Sequence, residues 1–239
     1  PGTYPTVATS DGSFGTTWSA SQTPPDAVNE YTEGVVLANG DLMLIGGLRA
    51  GTSRTSCNRF RLVSTAVVTD GSEAAGAVRR TYQWIDTADM VGSRTSHAAS
   101  VLLDGRVLVT GGNSISRFDV NGQVATAELY APGVNTWSAM PSMLLADAGG
   151  LAERQNHTQT VLSFALPYVA TNGKVLVAGG SWNDGTASQR THLFDSYSLT
   201  WSPYDSASRM VEYRTNHQAV LLDEGIDRDR VMLIGGQGL

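Results

Sequence analysis

At 239 residues with 41% hydrophobic content, the chain is long enough to bury a complete core, as one β-rich domain or a compact repeat array. A net charge of −6 argues against nucleic acid as a partner, since phosphate binding needs a net basic footprint; no run approaches the roughly 18 apolar residues of a membrane helix, so no membrane insertion is expected. Cys57 is the single cysteine, which excludes intrachain disulfides.

Taken in chain order, the predicted elements repeat. In the first unit a strand at 35–37 turns at Asn39-Gly40 into a second strand, 42–47, that ends in Gly-Gly. Asn-Gly and Asp-Gly suit tight type I′ turns, in which both central residues need positive φ. A polar, glycine-rich connection follows, then a strand carrying Trp84. The second unit repeats the order: strand 101–103, turn Asp104-Gly105, strand 107–112 ending in Gly-Gly, then Tyr130 and, seven residues on, Trp137. The third runs from Val161 through Asn172-Gly173 to a strand at 175–180, then Phe194 and, again seven on, Trp201. The fourth hairpin joins 219–222 to 231–236 through the acidic loop 223–229, and Trp18 near the N-terminus takes the remaining Trp slot. That loop lacks the alternating order of a calcium loop and is read as a solvated turn.

Each unit thus reads as four short strands, too small to bury both faces alone. Stacking the units around an axis solves this, with aromatic and aliphatic side chains between neighbouring sheets and glycine pairs in the crowded inner region. The order of hairpin, Gly-Gly, aromatic and Trp resembles the kelch motif over nearly the whole chain. The resemblance implies an all-β, kelch-type β-propeller of four four-stranded blades, as a single domain over 1–239. The first glycines of the pairs are 65, 68 and 56 residues apart, the excess over roughly 50 for a kelch unit lying in insertions around 69–80, 138–153 and 163–170.

From Gly179 to Trp201 is 22 residues; the four residues after Gly235 and the 18 that reach Trp18 give the same interval. N-terminal strands near 4–9 and 16–20 are therefore expected to complete the C-terminal blade and close the ring. The alternative is a contiguous piece of a larger propeller. The chain has neither an initiator Met nor a charged-then-apolar start, so it is expected to be processed or excised from something longer.

Just before each inner strand, Arg94 and His97, Arg154 and His157, and Arg214 and His217 fit Arg-x-x-His; the first unit has Asn29 and Thr32 instead. Rotation about the axis would display the three pairs at one end of the channel, as a polar or anion-binding ring or as nitrogen ligands for a metal. The competing reading is structural: each pair ties its strand start to neighbouring carbonyls, because buried polar groups demand partners. No supporting carboxylate recurs, and no metal is predicted. Trp182, beside Asn183 and Asp184, is the other binding candidate, since an aromatic face with flanking amide and carboxylate suits sugar stacking or protein contact.

The stretch Gly179-Gly180-Ser181-Trp182 and the run Asn135-Thr136-Trp137 resemble the kelch domains of galactose oxidase and glyoxal oxidase. That resemblance implies a copper radical site: a Tyr cross-linked to a Cys, a second Tyr next to a His, and a further His. Tyr31 occupies a slot like that of the cross-linked tyrosine, but Cys57 follows the Gly-Gly of the same unit, where the family places it one blade earlier. Ser96, Asn156, Thr191 and Asn216 precede the four histidines, so no Tyr-His pair exists. Copper belongs only to this alternative, and no cofactor is otherwise predicted. Nucleophile-elbow, phosphate-loop and zinc-helix signatures are absent. The expected role is a non-catalytic recognition module, extracellular or on a cell surface, binding a protein or glycan through its loop face. The alternatives are the propeller part of a copper radical oxidase and an architectural module of a larger assembly.

Overall fold

The computed structural model describes residues 8–9, 19–20, 30–67, 78–115, 122–144, 152–163, 173–182, 184–202, 209–222 and 230–238. Trp18, Asn29, Asn172, Asn183 and the acidic loop 223–229 lie outside the described residues. Those described form strands and connections, with no helix among them.

Strands β1 (Ala8–Thr9) and β2 (Ser19–Ala20) pair with each other. The first blade contains β3 (Glu33–Val36) and β4 (Leu42–Ile45), a small lateral hairpin β5 (Leu48–Arg49) and β6 (Thr52–Ser53), then β7 (Cys57–Val67) and β8 (Val78–Asp86). Its sheet order is β3-β4-β7-β8. The second blade runs β9 (Ala98–Val101), β10 (Val107–Thr110), β11 (Ala127–Ala131), β12 (Thr136–Met140). The third runs β13 (Thr158–Val161), β14 (Lys174–Ala178), β15 (Ser188–Asp195), β16 (Thr200–Trp201), and β17 (Arg209–Arg214) pairs with the first part of β15. Of the fourth blade, β18 (Gln218–Leu222) and β19 (Arg230–Ile234) form a two-stranded hairpin. The inner strands lie side by side in order: β3 by β9, β9 by β13, β13 by β18. This is the all-β, kelch-type propeller architecture. No ladder joins β1 or β2 to β19 among the described residues, so closure is not shown.

The first two inner hairpins depart from the expected turn. Gly40 and Gly105 have φ of 84° and 85°, whereas Asn39 and Asp104 are not at positive φ. Leu37 N–H donates to Asp41 O at 2.8 Å and Gly40 N–H to Leu37 O at 2.8 Å, and Leu102, Arg106 and Gly105 repeat the pattern. These are three-residue loops, a type I turn followed by a left-handed glycine. The side chains of Asn39 and Asp104 favour this form because each accepts the N–H two residues on, from Asp41 and Arg106.

The core lies between blades. Val35, Met43 and Ile45 of the first blade pack with Val107, Val109 and Tyr130 of the second; Leu102, Leu108 and Leu129 pack with Val175 and Phe194 of the third. The seven-residue spacing becomes cross-strand pairing: Tyr130 faces Trp137 and Phe194 faces Trp201, ring centroids 5.1 Å apart in each case. Each indole also reaches the preceding blade, Trp137 Nε1 donating to Ala88 O (2.9 Å) and Trp201 Nε1 to Pro141 O (2.7 Å).

Candidate functional site

The repeated segment before each inner strand is a turn whose third residue is left-handed: Tyr31, Ser96, Asn156 and Asn216 have φ of 55°, 53°, 54° and 54°. Asn tolerates this region; Tyr does so at a steric cost. The turns step around the axis, with Asn156 N–H donating to Ser96 O (3.0 Å) and Asn216 N–H to Asn156 O (3.1 Å).

Each arginine of the repeat works at a blade seam. The carbonyls of Arg94, Arg154 and Arg214 accept the N–H of Gly47, Gly112 and Gly180 in the preceding repeat, each at 2.8 Å. Their guanidiniums turn back to their own repeat, Nη1 donating to the carbonyls of Gly111 (2.8 Å), Gly179 (3.2 Å) and Gly235 (2.7 Å). Hence the glycine pairs. A Cβ on Gly46, Gly111 or Gly179 would lie 2.7, 2.5 or 2.5 Å from the next arginine's carbonyl oxygen. At Gly235 nothing described lies within 4 Å of that position.

Arg94 and Arg154 are 2% and 1% exposed. Arg94 meets Glu128 at 2.8 Å and Thr126; Arg154 Nη2 donates to His192 Nδ1 at 3.0 Å, and His192 Nε2 in turn meets Leu144 O at 3.1 Å. Donation from Arg154 fixes His192 as the neutral tautomer with hydrogen on Nε2. Glu128 and His192 occupy the same slot, opposite Val109 in β10 and Val177 in β14. The first unit has Asn29 for the arginine and buried Asn58 in that slot, opposite Leu44. Arg214 is more exposed and also meets Glu212 at 3.4 Å.

The three repeat histidines are buried. His157 Nε2 meets Thr110 Oγ1 at 2.8 Å and His217 Nε2 meets Thr158 Oγ1 at 3.0 Å. Among the described residues neither ring nitrogen of His97 has a hydrogen-bond partner; Ile45 stands in the first blade where Thr110 stands in the second. Burial first, then the neighbouring arginine, pushes His97 down to about 3 and His157 and His217 below the ordinary imidazole value. All three are neutral near pH 7. Among the described residues no group of three or more His, Cys, Asp or Glu is placed to hold a metal ion.

These segments converge on the axis. A cavity of about 260 Å³ is lined by Tyr31, Ser96, Asn156 and Asn216 together with Thr32 and the three histidines. A second, of about 240 Å³, continues from it past Glu33, Thr158, Gln159 and Gln218. Burial lifts the Glu33 carboxyl to about 7. Glu33, Gln159 and Gln218 are site residues that motif reading missed; their signal is a polar residue in the first two positions of an inner strand.

Trp182 stands outside this ring. Its indole is half-buried between guanidiniums, Arg190 at 5.4 Å and Arg154 at 5.8 Å from the ring centroid, and its carbonyl accepts Gln123 Nε2 at 2.7 Å. Asp184 is exposed and its Oδ1 accepts Thr186 N–H (2.9 Å) and Oγ1–H (2.6 Å). The copper pattern does not fit. Cys57 is 3% exposed in the core with Met43, Ile45 and Met90, its thiol pushed up to about 12, whereas Tyr31 is 42% exposed at the axial cavity.

No family model matches the chain. Two galactose oxidase sequences from Gibberella zeae are each 26% identical to it over 208 residues, covering 64% of this chain and 29% of theirs. The solved structure of YjhT superposes with a TM-score of 0.54 at 16% identity, covering 83% of this chain and 56% of that one. The chain therefore spans less than a third of the curated relatives it matches.

Proposed function

From a kelch-type propeller resembling galactose oxidase as the premise, we propose a non-catalytic recognition module, extracellular or on a cell surface. It takes a protein or glycan ligand at the end where the repeats open their axial cavity. The observation that carries this is the convergence of all four repeats on one polar rim, Tyr31, Ser96, Asn156 and Asn216. With its histidines neutral, the rim offers hydroxyls, amides and imidazoles, beside the Glu33 carboxyl raised to about 7. Such a set suits sugar hydroxyls or peptide amides better than a polyanion. Trp182 and Asp184 are read as flanking contacts, because they follow the end of β14 that pairs with the start of β13, and placement outside the cell is drawn by fold analogy.

A propeller part of a copper radical oxidase is not favoured, because Cys57 is committed to the core rather than to Tyr31. The test is binding to glycan arrays and to extracellular protein libraries, repeated with Asn156→Gly/Asn216→Gly, which keeps the left-handed backbone, and with Trp182→Ala. Loss of binding in the double variant supports the axial rim; loss in Trp182→Ala alone moves the ligand outward. Absence of any ligand from the folded parent chain would leave an architectural role and sink recognition.

A further inference from the structure

At the opposite end of the propeller, between the first two blades, lies a cleft of about 580 Å³. Its volume falls in the range of small-molecule sites, roughly 300–1,000 Å³. The β3–β4, β9–β10 and β11–β12 turns wall it, contributing apolar surface from Ala38, Pro132 and Val134, and Arg59, Arg61 and Arg106 line it.

The three cations are not equally matched. Arg61 places Nε and Nη2 on Asp41 Oδ2, both at 2.9 Å, and Arg106 places Nε and Nη2 on Asp104 Oδ2 at 2.7 and 2.6 Å. Among the described residues Arg59 has no such partner. Its nearest carboxylate oxygen is the same Asp41 Oδ2, 3.9 Å away and already taken by Arg61 and by Asn39 Nδ2. Its side chain is 10% exposed, and its Nε is buried without a hydrogen-bond partner. A guanidinium stays charged at any physiological pH, and a buried, unmatched one is costly. Among the described residues, three guanidiniums against two carboxylates leave this cleft one positive charge in excess.

We propose that the cleft is a binding site for a small organic carboxylate, whose acid group neutralises Arg59 while its body lies against Ala38, Pro132 and Val134. A planar carboxylate matches the guanidinium fork. The site is separate from the axial rim and does not depend on what binds there.

The experiment is calorimetric titration of the full chain with sodium butyrate and with sodium galacturonate, against sodium chloride and neutral galactose at matched ionic strength. Saturable binding of either acid, weakened about ten-fold by Arg59→Met, is the expected result. Butyrate alone would assign an aliphatic acid, and galacturonate alone a sugar acid. Arg106→Gln, at a half-buried residue of the cleft wall, is the second variant should Arg59→Met not fold, and it is expected to weaken binding about three-fold. No saturable binding of either acid, equal binding of galactose, or unchanged affinity in the folded variants would overturn the proposal.

Discussion

Gly40 and Gly111 both sit at positive φ, yet a methyl group added to each meets different surroundings. At Gly40 nothing lies within 4 Å, so Gly40→Ala is expected to cost about 1 kcal/mol, the conformational penalty alone. At Gly111 the new Cβ would lie 2.5 Å from Arg154 O and 2.7 Å from His157 Cε1, so Gly111→Ala should cost more, about 3 kcal/mol. Urea denaturation of the pair measures the difference, and equal losses would refute the seam contact. Removing one side of the buried Arg94–Glu128 pair strands a charge at 2–3% exposure, so Glu128→Gln is expected to cost about 3 kcal/mol. The Arg-x-x-His pairs were visible in the sequence; their partners were not. Glu128 sits in an otherwise apolar strand, and its meaning appears only when register places it in the same slot as His192.

Pairs of strands carry the next level of order. Trp201 packs on Phe194 and also donates to Pro141 O in the preceding blade. Trp201→Phe keeps an aromatic ring and loses the donor, so a loss of about 1 kcal/mol is expected by chemical denaturation. Tyr130 with Trp137 and Phe194 with Trp201 could be read from a spacing of seven, because a short turn joins their strands. The same pair in the first blade, Phe60 facing Trp84 with centroids 4.9 Å apart, was not legible. There the two strands extend past the sheet into a long hairpin, Cys57–Val67 and Val78–Asp86, and sequence distance no longer reports register. The first two inner turns fall where the sequence puts them but take the three-residue form rather than the tight type I′ form expected. Asn-Gly and Asp-Gly suit both forms, and the side-chain bonds to Asp41 and Arg106 N–H go with the three-residue one.

Across the molecule, burial of ionisable groups sets how stability depends on pH. His97 and His192 are held at about 3, and His157 is held low as well. Below about pH 6.5 the unfolded chain binds protons that the folded chain refuses, so their contribution is full above that value and is lost as pH falls. Glu33 acts in the opposite sense: with its folded value near 7, its contribution is full below about 4.5 and is lost as pH rises through 7. Denaturation across pH should therefore show Glu33→Gln flattening the neutral side of the profile while leaving the acid side unchanged. An unchanged neutral side would mean that Glu33 reaches water. Hydrogen exchange should find β10 and β14 slower than β18 and β19, since each of the first two is flanked by strands on both sides while the last two, among the described residues, form a two-stranded hairpin. Four repeats were countable from Gly-Gly and Trp alone, whereas the convergence of Glu33, Gln159 and Gln218 on the axis needed three dimensions.

The seam between Gly-Gly and the following Arg-x-x-His joins two different surfaces, one on each side of a blade. A head-to-tail joint of this kind has no built-in stopping point: it comes round to its own start or winds on as a spiral, according to the rotation made at each step. That rotation is set by the wedge of side chains between sheets, Tyr130 with Trp137 at one joint and Phe194 with Trp201 at the next. Blade number is then a matter of wedge thickness rather than of strand sequence. Slimmer side chains at those positions fit more sheets around one axis, and bulkier ones fewer.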